Sequence, residues 1–407
     1  MITRRILSGA LSLLVLLSAA GCQARTPQPT ATPAPVVTPS PTPLPTPEPT
    51  PAPDPIRVQL EGMTTEEKVG QLLVVGFDGT QAGADVTAYV QEYQVGGVIL
   101  FKRNVESAEQ LVGLTNEVKG LNGGGIPLFV SVDQEGGRVD RMPPEVHRTP
   151  KAGDVTDPGA YGAALAAACA AFGFNLDFAP SLDVWSNPDN TVIGDRALGT
   201  DAETVAERGP VAAQALAGGG VIPVVKHFPG HGDTDVDSHA DLPVVEKTVA
   251  ELRGAELKPF QAAIDGGTPA VMVAHILMKA LDPDRPASLS PAVVNDLLRG
   301  EMGFGGVVFT DDMTMGAITE HYGVGEACVM AVEAGCDVAL VCHGRDNVDE
   351  ARTALLEAVE AGRISQARLD ESVYRVLALK VRFGVEDGAV DGPDVEALNQ
   401  QIDEILK

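Results

Sequence analysis

The sequence predicts an α/β protein built as a (β/α)8 TIM-type barrel, with one folded domain over residues 56–407. Three observations carry that expectation. Eight short apolar runs lack the strict alternation of half-exposed strands, as parallel strands covered on both faces do. Longer stretches with helical spacing lie between them. Polar residues crowd the ends of several runs, where barrel enzymes keep their chemistry. A doubly wound open sheet shares the alternation, but the count of eight and the polar strand ends favour the barrel.

The first 55 residues stand outside that fold. Arg4 and Arg5 precede an apolar stretch from Ile6 to Ala20, and Ala19-Ala20-Gly21 offers small residues for cleavage. That is the pattern of an export signal, too short for a membrane span. Cys22 follows at once, and Ala-Ala-Gly-Cys resembles a bacterial lipobox, whose cysteine is lipidated and becomes the new N-terminus. Residues 1–22 are therefore expected to be a lipoprotein-type signal peptide ending at Cys22. The expected location is extracytoplasmic, with the lipid as the sole membrane attachment; ordinary secretion with an incidental Cys22 is the alternative. Residues 23–55 read as a Pro/Thr-rich disordered tether, since thirteen of the 30 prolines fall between Pro27 and Pro55. Such a segment buries no core and favours extended polyproline II, reaching roughly 90 Å at about 3.1 Å per residue.

The acidity belongs to the remainder. The chain has 29 Lys+Arg against 56 Asp+Glu, a net charge of −27; beyond residue 55 the balance is 26 against 54, or −28. That field repels nucleic acid. A hydrophobic content of 44% excludes global disorder. Cys169, Cys328, Cys336 and Cys342 sit in apolar surroundings with no Cys-x-x-Cys, so buried free thiols are expected. Six residues of extended chain would hold Cys336 and Cys342 about 20 Å apart, too far for a disulfide.

The predicted strands are 73–77, 97–101, 128–133, 176–184, 221–228, 270–275, 306–311 and 337–342. The predicted helices are 84–94, 107–121, 158–172, 202–218, 248–265, 291–301, 325–334 and 347–361. Asp201 is the expected N-cap of 202–218, which ends at three glycines, and Gly362 ends the last. One further helical stretch, 369–381, precedes a short acidic tail.

Four strand ends carry dense polar sequence: Asp133 to Arg138 with Arg141 beyond, Val192 to Arg196, Lys226 to His239, and Phe309 to Met313. Carboxylates placed directly after apolar strands are costly to bury and need a reason. The fifth strand end holds three of the seven histidines in thirteen residues. His227 and His231 have the spacing of a helical zinc pair, but Pro229-Gly230 between them argues against a helix. Asp237-Ser238-His239 is a second reading: in extended chain, residues i and i+2 face the same side, so the carboxylate would orient the imidazole for acid–base work. Asp311 is placed to act as a nucleophile at a sugar carbon, or to cap the segment that follows; in the Asp311-Asp312 doublet one acid can be catalytic and the other structural.

Met63 to Leu73, Gly96 to Phe101, Val132 to Val139, Lys226 to His239 and Phe309 to Asp312 together resemble glycoside hydrolase family 3, in its NagZ-like β-N-acetylhexosaminidase branch, over about residues 57–385. The resemblance implies a retaining exo-β-N-acetylglucosaminidase acting on peptidoglycan fragments, with a barrel fold and no metal or other cofactor. It implies Asp311 as nucleophile, His239 as general acid/base and Asp237 as its dyad partner. Asp133, Arg141, Arg196, Lys226 and His227 are implied to hold the N-acetylglucosamine ring. A histidine acid/base avoids a second negative charge beside the nucleophile, and Gly230 and Gly232 are expected to let its loop move. Two departures are visible, Lys102 where Gly is usual and Thr310 where Ser is common. The expected partners are N-acetylglucosamine-containing glycans, bound by a monomer. The alternatives are another family-3 β-glycosidase, an N-acetylglucosaminide phosphorylase, or a non-catalytic anchored sugar-binding protein.

Overall fold

The computed structural model describes residues 54–234 and 242–407. All eight predicted runs form strands. In chain order the strands are β1 (Leu73–Gly76), β2 (Gly97–Leu100), β3 (Phe129–Val132), β4 (Leu176–Asp177), β5 (Ile222–Phe228), β6 (Val244–Val245), β7 (Ala270–Val273), β8 (Leu277–Met278), β9 (Val307–Asp312) and β10 (Val338–Val341). Eight of them close a parallel barrel in the order β1-β10-β9-β7-β5-β4-β3-β2. The short β6 and β8 pair with each other outside it.

Closure explains the apolar runs. Side chains pointing inward pack a core of Val74, Ile99, Phe129, Leu176, Ile222, Val224, Met272, Phe309 and Leu340. The Phe309 ring meets Phe129 and Phe178 edge-on, at 6.2 and 5.6 Å between centroids. Side chains pointing outward meet the surrounding helices, so both faces are apolar and no alternation survives in the sequence. The helix Gln366–Arg382 adds Val376 and Leu379 to the interior cluster. The four cysteines are buried and free.

The helices follow the expected order, with differences at three places that shape the fold and a further short helix, Gly316–Thr319, after β9. The stretch 248–265 is two helices, Val249–Gly254 and Leu257–Asp265, because Ala255 leaves helical geometry at φ −133°. That break turns Glu256 into the interior. Two short helices, Pro55–Glu61 and Thr65–Gln71, precede β1; the second starts in a Thr64–Glu67 capping box. The acidic tail holds a helix, Val395–Ile405, capped by Asp394, whose carboxylate accepts the N–H groups of Glu396 and Ala397. Its Leu398 and Ile402 are buried where it packs on the helix Pro158–Ala171. The spacing of Val395, Leu398, Ile402 and Ile405 was a helical stripe hidden among acids. Asp201 caps Ala202–Gly218 as expected, accepting the Thr204 N–H at 2.9 Å. Among the described residues no helix is long and apolar enough to cross a membrane.

Candidate active site

The strands β3, β5, β9 and β10 deliver polar side chains to one cavity of about 240 Å³. The charged ones form pairs that cancel. Glu135 is 2% exposed and meets Arg196 through two bonds, from Nε at 2.7 Å and from Nη2 at 2.8 Å. Lys226 reaches the same carboxylate at 2.7 Å and Asp133 at 2.5 Å. Two anions and two cations therefore share one buried wall. Burial alone would raise the Glu135 carboxyl, but Arg196 and Lys226 outweigh it and hold it well below the usual range. Arg196 and Lys226 are held above their ordinary values by the same carboxylates, against the pull of burial.

Local turns fix this wall. The Gln134 N–H donates to buried Asp177 at 2.8 Å, and the Gln134 side chain accepts the Arg141 N–H at 2.8 Å. Gly136 is left-handed at φ +75°, and a Cβ there would lie 2.5 Å from the Pro150 carbonyl oxygen. The buried Tyr161 hydroxyl donates to the Glu135 carbonyl at 2.6 Å. Arg141 lines the cavity, and its Nε is buried with no hydrogen-bond partner among the described residues.

Lys226 and His227 are neighbours in β5, and both line the cavity. Strict alternation would have set them on opposite faces. The peptide between them is cis, and the register against β7 shifts between Val225 and Phe228. His227 Nδ1 lies 2.6 Å from Asp183, which also accepts the His231 N–H at 2.6 Å. The Thr234 hydroxyl donates to the His231 carbonyl and sits 2.7 Å from its Nδ1. The two imidazoles are 5.9 Å apart between centroids, each with a protein partner, and neither is on a helix.

The doublet at the end of β9 divides its labour. Asp312 accepts from the Thr314 N–H at 2.9 Å, the Thr314 hydroxyl at 2.7 Å and the Cys342 N–H at 3.0 Å. It builds the turn. Both acids line the cavity, but among the described residues Asp311 accepts only the Asp312 N–H, at 2.8 Å, and is not tied into the turn. Burial pushes the Asp311 carboxyl up, but His227 and that N–H outweigh it, so it is held below its ordinary value and ionised at neutral pH. His275, at the end of β7, has Nε2 3.0 Å from the Asp312 carbonyl and Nδ1 2.7 Å from Ser288. A carbonyl only accepts, so Nε2 carries the proton.

Asp133, Arg141, Arg196, Lys226, His227 and Asp311 thus converge on one cavity. Asp237 and His239 lie outside the described residues. Glu135, Asp183 and His275 were not singled out beforehand, although Glu135 and His275 sit just beyond strand ends, where a buried polar residue is itself a signal; Asp183 lies six residues past β4. The two loop glycines are tightly packed. Gly230 and Gly232 are buried, and a Cβ on Gly232 would lie 1.8 Å from the Val184 carbonyl oxygen. Glycine is needed at Gly232 for close approach. The two departures are absorbed: Lys102 donates to the Met142 carbonyl at 2.6 Å, and buried Thr310 accepts the Leu340 N–H at 3.1 Å.

Glu135, Asp183 and Asp337 share one consequence. Each is buried, which alone would raise it, and each is held low by its partners: Arg196 with Lys226 for Glu135, the His227 contact for Asp183, and Arg299 with Arg368 and Arg375 for Asp337. In an unfolded chain these carboxyls titrate near about 4. Their stabilisation is therefore complete above about pH 4 and is lost as pH falls towards the lower folded values. The melting temperature, followed by circular dichroism, is expected to hold near neutrality and drop steeply below about pH 4. A midpoint unchanged down to about pH 2 would contradict this.

A closed parallel barrel with an ionised carboxylate and a charge-balanced polar wall at the strand ends is the layout of a barrel enzyme for a small polar substrate. The chain belongs to glycosyl hydrolase family 3: residues 64–379 match the glycosyl hydrolase family 3 N terminal domain. It is 38% identical over 331 residues to the beta-hexosaminidase LpqI of Mycobacterium tuberculosis, covering 78% of this chain and 83% of that one. It is 32% identical to beta-hexosaminidase A of Pseudoalteromonas piscicida over 79% of this chain, but spans only 62% of that protein's length. A solved glycoside hydrolase family 3 beta-N-acetylglucosaminidase from Paenibacillus sp. str. FPU-7 superposes with a TM-score of 0.78 at 42% identity, covering 85% of this chain and 69% of that one.

Proposed function

We propose that the protein is a retaining exo-β-N-acetylglucosaminidase that releases terminal N-acetylglucosamine from peptidoglycan fragments. The observation that carries the reading is Asp311, ionised and facing a cavity whose opposite charges are already paired. Such a wall offers hydrogen bonds to a neutral sugar without a net field. A cavity of 240 Å³ has the space of about eight waters, suited to a single ring. Arg141, with its buried unpartnered Nε, supplies a donor for a ligand oxygen.

The chemistry follows in two displacements. The Asp311 carboxylate attacks the anomeric carbon, the glycosidic bond breaks, and His239 gives its proton to the departing oxygen. His239 then takes a proton from water, which attacks the same carbon and releases Asp311. Asp237 orients the imidazole and stabilises its cation. Each step inverts, so the product keeps the β configuration. Proton NMR of the first-formed sugar is the test, and an α product would sink the mechanism. An aryl N-acetylglucosaminide is expected to be hydrolysed in preference to the aryl glucoside, and at the same rate with and without phosphate. Sugar phosphate as product would assign a phosphorylase instead.

His239→Ala is expected to lower kcat by about 10²–10⁴-fold on substrates with poor leaving groups and far less on activated aryl glycosides. Equal loss on both would remove it as acid/base. The location is also proposed: Cys22 carries the lipid, and the Pro/Thr-rich tether links it to the catalytic barrel, ending at residue 53 rather than 55 because Asp54 caps the first helix. Cys22→Ser is expected to move activity from the membrane fraction to the soluble one; unchanged fractionation would exclude the anchor.

A further inference from the structure

We propose that His275 is a positioning residue for the nucleophile, holding the end of β9 from the β7 side so that Asp311 keeps its aim at the anomeric carbon. In the barrel β9 lies between β10 and β7. Its backbone pairing with β7 stops at Val273 with Thr310, one residue short of Asp311. His275 lies two residues beyond Val273, and Asp312 two beyond Thr310. Imidazole and carbonyl therefore meet in register, with Nε2 donating to the Asp312 carbonyl at 3.0 Å. A side chain continues the ladder where the backbone pairing has ended. On the β10 side the Met313 N–H donates to the Leu340 carbonyl at 2.9 Å, and the Asp312 carboxylate accepts the Cys342 N–H at 3.0 Å. The peptide joining Asp312 to Met313 is thus held at both ends, by His275 at its carbonyl and by Leu340 at its N–H. Asp312 in turn presents the N–H that the Asp311 carboxylate accepts at 2.8 Å.

The imidazole is itself fixed. His275 and Ser288 are both fully buried. With its proton on Nε2, the ring accepts the Ser288 hydroxyl at Nδ1, at 2.7 Å, so Ser288 sets the tautomer. Ser288 is carried on backbone tied to both sides of His275: its N–H donates to the Ala274 carbonyl at 3.2 Å, and the Ala287 N–H donates to the Ile276 carbonyl at 2.8 Å. Burial holds the imidazole below its ordinary value against the pull of Asp311 and Asp312, and so keeps it neutral. Neutrality suits the chemistry. A cation in this place would stabilise the Asp311 carboxylate before attack and weaken it as a nucleophile. A neutral ring holds the strand end and adds no charge. Aim matters because a displacement of about 1 Å at a reacting atom costs about 10²-fold in rate.

The proposal rests on the reading of Asp311 as the nucleophile. The test measures wild type, His275→Leu, His275→Gln, Ser288→Ala and Asp311→Ala on aryl N-acetylglucosaminides of graded leaving-group acidity, with urea midpoints alongside. His275→Leu is expected to lower kcat by about 10²-fold on every member of the series and to change KM less than about 2-fold, since the wall that holds the sugar is untouched. His275→Gln, whose amide can still donate to the Asp312 carbonyl, is expected to recover about 10-fold of that loss. Ser288→Ala keeps the ring and frees its tautomer, and is expected to lower kcat about 3-fold or more with KM unchanged. It is the milder change and decides the matter if His275→Leu does not fold. A loss that follows leaving-group acidity, a loss in KM rather than kcat, or a folded Ser288→Ala with wild-type kcat overturns His275 as a positioning residue, while an inactive Asp311→Ala leaves the nucleophile reading standing. If Asp311→Ala itself stays active, the nucleophile reading has failed, and the His275 proposal falls with it.

Discussion

Asp311→Ala is expected to lower kcat on any N-acetylglucosaminide by about 10⁴-fold or more while changing stability by less than about 1 kcal/mol. The nucleophile is lost outright, and no neighbouring carboxylate can replace it. Asp312 is committed to Thr314 and to the Cys342 N–H. Glu135 is locked between two cations. Stability is spared because Asp311 bonds the N–H of the residue beside it rather than tying elements together. Asp312→Ala is the contrast. It strips acceptors from a turn and costs about 1–3 kcal/mol, with activity falling because the nucleophile's strand end is no longer held. Steady-state kinetics and urea denaturation of the two variants separate the roles; an active Asp311→Ala enzyme would sink the assignment.

Glu135→Ala is expected to have the largest effect on stability. It removes the anion that neutralises Arg196 and half of the neutralisation of Lys226, leaving Arg196 without a carboxylate and Lys226 with Asp133 alone in a largely buried wall. Breaking one partner of such a buried group costs about 3–5 kcal/mol, against a total stability of about 5–15 kcal/mol. Glu135→Gln keeps the shape and one acceptor, so it is expected to fold with a smaller loss. Its kcat/KM should nonetheless drop by about 10²-fold, since Arg196 and Lys226 are no longer held in place for the sugar. Urea midpoints and kcat/KM on the aryl substrate decide the matter. A Glu135→Ala protein as stable as wild type would show that solvent, not Glu135, balances the two cations.

The barrel was legible because its cause is written locally. Strands covered on both faces need continuous apolar runs, and helices between them need a stripe; both patterns survive in a single chain. Asp201 and Gly362 marked helix ends for the same local reason. The helix Val395–Ile405 was hidden by its acids, and the break at Ala255 followed Gly254, a stop signal that the continuous helical spacing over 248–265 masked. Asp183 looked like part of an apolar run. Its role depends on His227 and His231, some 44 and 48 residues away.

By itself the sequence determined the barrel, the strand ends that carry chemistry and the family whose motifs sit there, because each is fixed by residue type and spacing within a short stretch. Only the tertiary structure decided that Lys226 and His227 share one face, that Asp312 is tied into a turn while Asp311 is not, and that Gly232 serves close approach. Those outcomes depend on register shifts between strands and on which distant carboxylate meets which cation. Closing the barrel sets both at once, and no local pattern encodes them.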